Sequence, residues 1–322
     1  MTDLTVHLTR DDVTRSLRSD VLTGLTATRK TLPPRWFYDA RGSELFEEIT
    51  RLAEYYPTRT EREVLADRAG EIAALTGART LVELGSGSSE KTRLLLDALR
   101  ERGTLNEIVA LDVSGAALES SVAILREAYA PATVHGVVGD FTRHLALLPG
   151  GGPRLVAFLG GTIGNLVPAE RAKFLSALRD TLQAGEWLLL GTDLVKDRDT
   201  LVRAYDDDRG VTAEFNRNVL HVLNRELGAD FDVAAFEHEA VWDEQEEWIE
   251  MRLRATRAMR VRIPALDLEV DFADGEELHT EVSAKFRPAR VATELAEAGF
   301  ALTRWWTDRH NQFGLSLSRA AD

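Results

Sequence analysis

Between residues 79 and 193, short apolar runs alternate with stretches of helical spacing. Residues 80–84, 107–112, 133–138, 154–159 and 187–192 read as strands, and residues 90–100, 116–129 and 169–182 as helices. Pro168 opens the last of these helices and Ala184-Gly185 stops it. Strands and helices alternating in this way predict a doubly wound, mostly parallel α/β sheet. The chain end adds a helix at residues 288–298, stopped by Gly299, then two strand-like runs at 302–307 and 314–318. That pair predicts an antiparallel hairpin at the sheet edge.

Residues 195–287 are too many for a loop in a compact domain. They begin helically at 200–208 and 211–227, then alternate at 236–240, 247–254 and 266–272, with Asp274-Gly275 as a turn before 278–286. This predicts an α+β insertion. The expected organisation is therefore a helical segment at 1–60 packing with a substrate-binding insertion at 196–286, and a Rossmann-like core at 61–195 completed by 287–322.

Composition narrows the setting without changing that picture. Hydrophobic residues make up 44% and charged residues 29%, as in an ordinary globular protein. A net charge of −14 opposes a nucleic-acid partner, and the one arginine-rich stretch, 252–262, is flanked by Glu247, Glu250, Asp267 and Glu269. No apolar run approaches the roughly 20 residues that a membrane span needs. Asp3, Arg10, Asp11 and Asp12 do not resemble an export signal, and cysteine is absent, which fits a reducing compartment; a cytoplasmic protein is expected.

Three strand ends carry the candidate chemistry. Glu83-Leu84-Gly85-Ser86-Gly87 closes the first strand, where glycine lets the backbone approach a ligand. A dinucleotide fingerprint would place a third glycine at position 90, but Glu90 stands there and would face a pyrophosphate badly. Asp112 ends the second strand, placed either to accept from two ribose hydroxyls or to cap the helix that follows. Gly139-Asp140-Phe141 ends the third, where the acid and the ring suit an adenine, or where Asp140 is a turn residue. Together they follow the rule that open α/β sheets bind ligands at the carboxyl ends of their strands.

Several longer strings resemble the histidine-specific N-α-methyltransferases of ergothioneine biosynthesis, particularly the actinobacterial type. They are Pro33-Pro34-Arg35-Trp36-Phe37-Tyr38-Asp39, Ile49-Thr50-Arg51-Leu52, Glu54-Tyr55-Tyr56-Pro57-Thr58-Arg59-Thr60-Glu61 and Leu81-Val82-Glu83-Leu84-Gly85-Ser86-Gly87. Further strings are Phe158-Leu159-Gly160-Gly161-Thr162-Ile163-Gly164-Asn165-Leu166, Gly191-Thr192-Asp193-Leu194-Val195-Lys196-Asp197 and Phe215-Asn216-Arg217-Asn218. The similarity spans nearly the whole chain; Gly161 departs from it, where the family pattern favours serine. The resemblance implies a Rossmann-like class I methyltransferase sheet, of which an antiparallel ending is typical, and implies that Gly85, Lys91, Asp112, Asp140 and Phe141 hold S-adenosylmethionine. It also implies that Tyr55, Asn165, Tyr205, Glu281, Val282 and Ser283 hold L-histidine, with Glu281 and Ser283 on the imidazole and Asn165 presenting the amine. Read without it, Lys91 is a surface lysine and both tyrosines are core aromatics. Tyr38 is a candidate partner for the amine proton, or a structural aromatic.

The implied reaction is three successive methyl transfers to the α-amine of histidine, giving trimethylhistidine (hercynine), the first step of ergothioneine biosynthesis. No enzyme nucleophile or metal is required, and the chain is expected to act as a monomer. The nearest rival is a related enzyme acting on the amine of another aromatic amino acid, such as a tryptophan derivative, for which Glu281 is a poorer neighbour. Two more distant rivals are a ligand-binding protein with a degenerate cofactor site and a dinucleotide oxidoreductase.

Overall fold

The computed structural model describes residues 4–87, 89–148 and 152–321. It divides into two compact units, one drawn from Met1–Leu8, Pro57–Val195 and Lys285–Asp322, the other from Thr9–Tyr56 and Lys196–Ala284. Among the described residues, no helix is long and apolar enough to cross a membrane.

The first unit is built on an eight-stranded sheet in the order Leu4–Val6, Thr133–Val138, Glu107–Asp112, Thr80–Leu84, Arg154–Phe158, Trp187–Asp193, Phe313–Ala320, Phe300–Thr307. The first six run parallel, and Phe313–Ala320 runs antiparallel to both neighbours. This is the class I methyltransferase sheet. Thr80–Leu84 and Arg154–Phe158 are buried along their whole length, as central parallel strands must be when both faces are covered. Covering helices contribute Leu95, Leu96 and Leu99 from Arg93–Glu101, Leu118, Val122 and Leu125 from Gly115–Ala128, and Val64, Leu65 and Ile72 from Pro57–Thr76. The order of strands reverses at Thr80–Leu84, which puts the topological switch point at its carboxyl end.

Two expectations change in this unit. Of the segment 1–60, Thr9–Tyr56 groups with the insertion as expected, but its two ends do not: Leu4–Val6 pairs with Thr133–Val138, and the helix Pro57–Thr76 covers the large sheet. A three-residue strand is too short to show a period. The helix expected from residue 90 begins at Arg93, so Lys91 precedes it in a turn.

The second unit holds a four-stranded sheet in the order Lys30–Thr31, Glu277–Ala284, Trp248–Ala255, Phe236–Asp243, and a separate ribbon of Met259–Ile263 with Leu268–Phe272. Residues 285 and 286, expected at the end of the insertion's last strand, belong to the first unit instead. Ile249, Met251, Leu253 and Ala255 share one face of Trp248–Ala255 and enter a single core with Phe215, Val219, Leu220 and Leu223 of the helix Val211–Leu227.

In the first unit, the loop carrying Asn165 is closed by Arg171, which is fully buried. Its Nη1 donates to the Leu166 carbonyl at 2.7 Å, and its Nε and Nη2 donate to the two oxygens of Glu294 at 3.0 and 2.9 Å. Glu294→Ala should cost about 3 kcal/mol of stability by leaving this guanidinium buried without its carboxylate. The measurement is the urea midpoint, and an unchanged midpoint would show that Arg171 finds another partner.

Candidate active site

Gly85 and Gly87 have φ of 71° and 49°, the left-handed region that glycine enters without penalty. Among the described residues, a Cβ on either would meet nothing within 4 Å, which leaves room beside the turn. The turn is tied to the neighbouring strand by Gly85 N and Ser86 N, which donate to the Leu111 carbonyl at 2.9 and 3.0 Å. Asp112, one residue on, accepts from Gly87 N through Oδ2 at 2.8 Å and from Ser114 N through Oδ1 at 2.9 Å. It is thus a local cap, while each carboxylate oxygen keeps capacity for a further donor. Burial pushes its carboxyl above the ordinary range, against the opposing pull of the Ser114 and Gly87 N–H groups. Behind the turn, Glu83 is buried and accepts from the hydroxyls of Ser89, at 2.7 Å, and Thr92. Burial outweighs those hydroxyls and pushes its carboxyl up to about 7.

At the end of Thr133–Val138, Asp140 Oδ1 accepts from Thr142 N at 2.8 Å and from the Thr142 hydroxyl at 2.6 Å, so the turn role is present here too. The half-buried ring of Phe141 lies 5.0 Å from that of Phe158 and 5.7 Å from that of Phe174. Its orientation is therefore set by two neighbours before any ligand arrives.

Lys91 is not a surface lysine. Its ammonium is paired with Glu61, whose side chain is wholly buried. Glu61 also accepts from Gly160 N, at 2.7 Å through Oε1 and 2.9 Å through Oε2. The acid that closes the string at residues 54–61 thus ties the lysine to the glycine-rich loop after Arg154–Phe158. Gly161 has φ 69°, and a serine there would have to enter the left-handed region, which rationalises glycine at this position. A 3-10 turn, Thr162–Asn165, ends the loop and leaves Asn165 half-buried.

In the second unit, Tyr38 follows the 3-10 turn Pro34–Phe37 and packs edge-on against Phe46 at 5.6 Å and Phe215 at 5.5 Å. Its turn is held by Asn218, whose Nδ2 donates to Asp39 Oδ1 at 2.8 Å; Asp39 in turn caps Ala40–Thr50 through Gly42 N. Tyr55 and Tyr205 are buried with ring centroids 6.1 Å apart, and the Tyr205 and Ser283 hydroxyls share a hydrogen bond of 2.7 Å. Glu281 and Ser283 lie opposite Met251 and Ile249, so both are on the core face of the sheet. Val282, opposite Glu250, is on the other face; of the three expected contacts at 281–283 it can offer the core face only its backbone.

The family described as "Histidine-specific methyltransferase, SAM-dependent" matches residues 17–320. A histidine N-alpha-methyltransferase of Mycolicibacterium smegmatis is 61% identical over 312 residues, which cover 97% of this chain and 97% of that protein. One from Mycobacterium tuberculosis is 58% identical over 312 residues with the same coverage of both chains, 97%. Ergothioneine biosynthesis protein 1 of Schizosaccharomyces pombe is 33% identical over 229 residues, 67% of this chain and 30% of that protein.

The raised carboxyl of Glu83 has a measurable consequence. An ordinary glutamate titrates near 4.5 when unfolded, whereas this one titrates near 7 when folded, so folding takes up a proton between those values. Its favourable contribution is complete below the lower value and lost as pH rises through the upper one. Glu83→Gln cannot titrate, so the melting temperature of the wild type should fall relative to the variant between about pH 5 and about pH 8. A gap that stays constant across that range would mean that Glu83 remains ionised in the fold.

Proposed function

The chain belongs to the S-adenosylmethionine-dependent, histidine-specific methyltransferase family, and from that premise we propose that it transfers three methyl groups to the α-amino nitrogen of L-histidine. The product is trimethylhistidine, hercynine, and the step is the first of ergothioneine biosynthesis. The observation that carries the substrate reading is the placement of an acid, Glu281, and a hydroxyl, Ser283, on one face of a strand, with the Tyr205 hydroxyl already bonded to Ser283. A carboxylate and a hydroxyl suit the two nitrogens of an imidazole. An indole has one nitrogen to offer, which makes a tryptophan derivative the weaker candidate.

Bound S-adenosylmethionine supplies an electrophilic methyl group on sulfur. The first unit's residues fit its binding: the left-handed glycines Gly85 and Gly87 leave room for it beside their turn, and Asp112 has lone pairs left for the two ribose hydroxyls. Asp140 and Phe141 meet the adenine, and Lys91 the carboxylate. The second unit, Thr9–Tyr56 with Lys196–Ala284, is the substrate-binding unit of this reading. Tyr55 and Tyr205 of that unit are the proposed contacts for the amino-acid end.

The attacking nitrogen must carry a lone pair, and a free α-amine is largely protonated near neutrality. Tyr38 is the proposed partner for that proton, directly or through a water. As methyl groups accumulate, the nitrogen becomes a permanent cation, which the faces of Tyr38 and Phe46 suit by cation–π attraction. Catalysis otherwise comes from alignment, since the chemistry is a direct displacement.

Mass spectrometry of a reaction with histidine should find the trimethylated amino acid with both ring nitrogens unmodified; methyl groups on the ring would overturn the proposed orientation. Asp112→Ala should weaken S-adenosylmethionine binding by about tenfold or more, about 1.4 kcal/mol, in calorimetry, and equal affinity would move the cofactor elsewhere. Glu281→Ala should raise the histidine KM substantially with cofactor affinity unchanged, and phenylalanine should be a very poor substrate of the wild type. A Glu281→Ala enzyme with unaltered KM and preference would show that the imidazole is read by other residues.

A further inference from the structure

The strand Glu277–Ala284 changes phase in its middle. Leu278 lies opposite Leu253 and His279 opposite Arg252, but Glu281, not Thr280, lies opposite Met251, so Thr280 is an extra residue in the pairing. Before this bulge, even-numbered residues are on the core face; after it, odd-numbered ones are, and these include Glu281 and Ser283.

The straight alternative is not unfavourable on hydrophobic grounds. Without the bulge, Thr280, Val282 and Ala284 would follow Leu278 onto the core face, a less polar series than Glu281 and Ser283. Glu281 would then face outward beside His279 and Arg252, where Arg29 and Arg252 already surround Glu250. Apolar pattern and charge both allow that register, so the bulged one needs a specific hold.

A polar network supplies it. The Thr280 hydroxyl, 1% exposed, lies 2.6 Å from Asn216 Oδ1 and 3.0 Å from the Met251 carbonyl, both acceptors. Asn216, fully buried on the helix Val211–Leu227, donates from Nδ2 to the Arg252 carbonyl at 3.0 Å and meets His238 Nδ1 at 2.8 Å. Arg252 and Met251 are the two residues between which the pairing skips Thr280. His238 Nε2 lies 2.8 Å from the Tyr205 carbonyl, which can only accept, so Nε2 carries the hydrogen. Nδ1 is then the acceptor for Asn216 in the neutral ring, and burial indeed lowers the pKa of this histidine. Every polar atom of the Asn216 amide is used, and a buried network satisfied in this way selects one arrangement.

We propose that Asn216 and Thr280 lock the bulge that turns Glu281 and Ser283 to the core face, and are thereby positioning residues for recognition of the amino-acid side chain. His238 extends the same lock to the backbone of Tyr205. The inference rests on the reading of Glu281 and Ser283 as the imidazole contacts.

The test compares Thr280→Val, which removes the hydroxyl and keeps the shape, with Thr280→Ser, which restores it. Thr280→Val should raise the histidine KM by about tenfold or more and lower the preference for histidine over phenylalanine and tryptophan. S-adenosylmethionine affinity, read by calorimetry, should stay at the wild-type value, and Thr280→Ser should retain the wild-type KM and preference. Should Thr280→Val not yield folded protein, Asn216→Asp, which keeps the acceptor for Thr280 and loses the donor to Arg252, should move KM in the same direction. A melting temperature lowered with KM and preference unchanged would assign these residues to stability alone and overturn the proposal. Glu281→Ala separates the two levels: if it raises KM and Thr280→Val does not, the lock is wrong and the imidazole reading stands. If neither does, both fall.

Discussion

A carboxylate removed from water must be met by donors, and in the sheet-bearing unit that requirement falls on Glu61. Its side chain is completely buried, and its oxygens are satisfied by the Gly160 amide and the Lys91 ammonium. Three separate pieces of chain are held as a result: the helix Pro57–Thr76, the turn before Arg93–Glu101, and the loop that ends at Asn165. The neighbouring strand has to make room. A Cβ on Gly191 would run into Glu61 Oε1, so glycine at that position is a packing consequence of the buried acid. The same acid gives Lys91 a defined position while leaving its side chain partly exposed, the state a cation needs if it is to meet a second anion.

The other unit rests on neutral groups doing comparable work. The helix Val211–Leu227 sends Asn218 to the turn that carries Tyr38 and Asn216 to the strand that carries Glu281. Asn218 donates to the turn, and Asn216 donates to the Arg252 carbonyl and accepts from the Thr280 hydroxyl, so each ties the helix to a segment with which it has no hydrogen-bond ladder. Hydrophobic contacts, being non-directional, would bring the same elements together without settling their register to one residue. The directional amides add that settlement, and a one-residue change of register is the difference between an acid facing the core and an acid facing outward.

The cofactor turn shows a related economy. Asp112 and Asp140 each hold local backbone N–H groups, so each is oriented by its own turn. A group fixed in this way loses little freedom when a ligand adds a further bond, which is the physical content of a preorganised site. The structural and functional readings of these residues are therefore complementary, since the cap orients the carboxylate that the ligand would use.

The amino-acid sequence by itself determined the alternation of strand and helix through residues 80–193, the antiparallel ending and the strand-end positions of Gly85, Asp112, Asp140 and Phe141. These are local properties: a buried strand is a short apolar run, a turn needs its glycine, and parallel strands place their carboxyl ends together. Other features were decided only by tertiary structure. Leu4–Val6 is too short to display a period, and Glu61 reads as an ordinary acid on a helix until Gly160, 99 residues away, is brought to it. The core-facing placement of Glu281 and Ser283 depends on a bulge that the apolar pattern does not demand, held by Asn216, 64 residues from Thr280. A period in the sequence records which side of an element is buried. It carries no record of which distant donor meets a buried acceptor, and that pairing sets the geometry of both candidate sites.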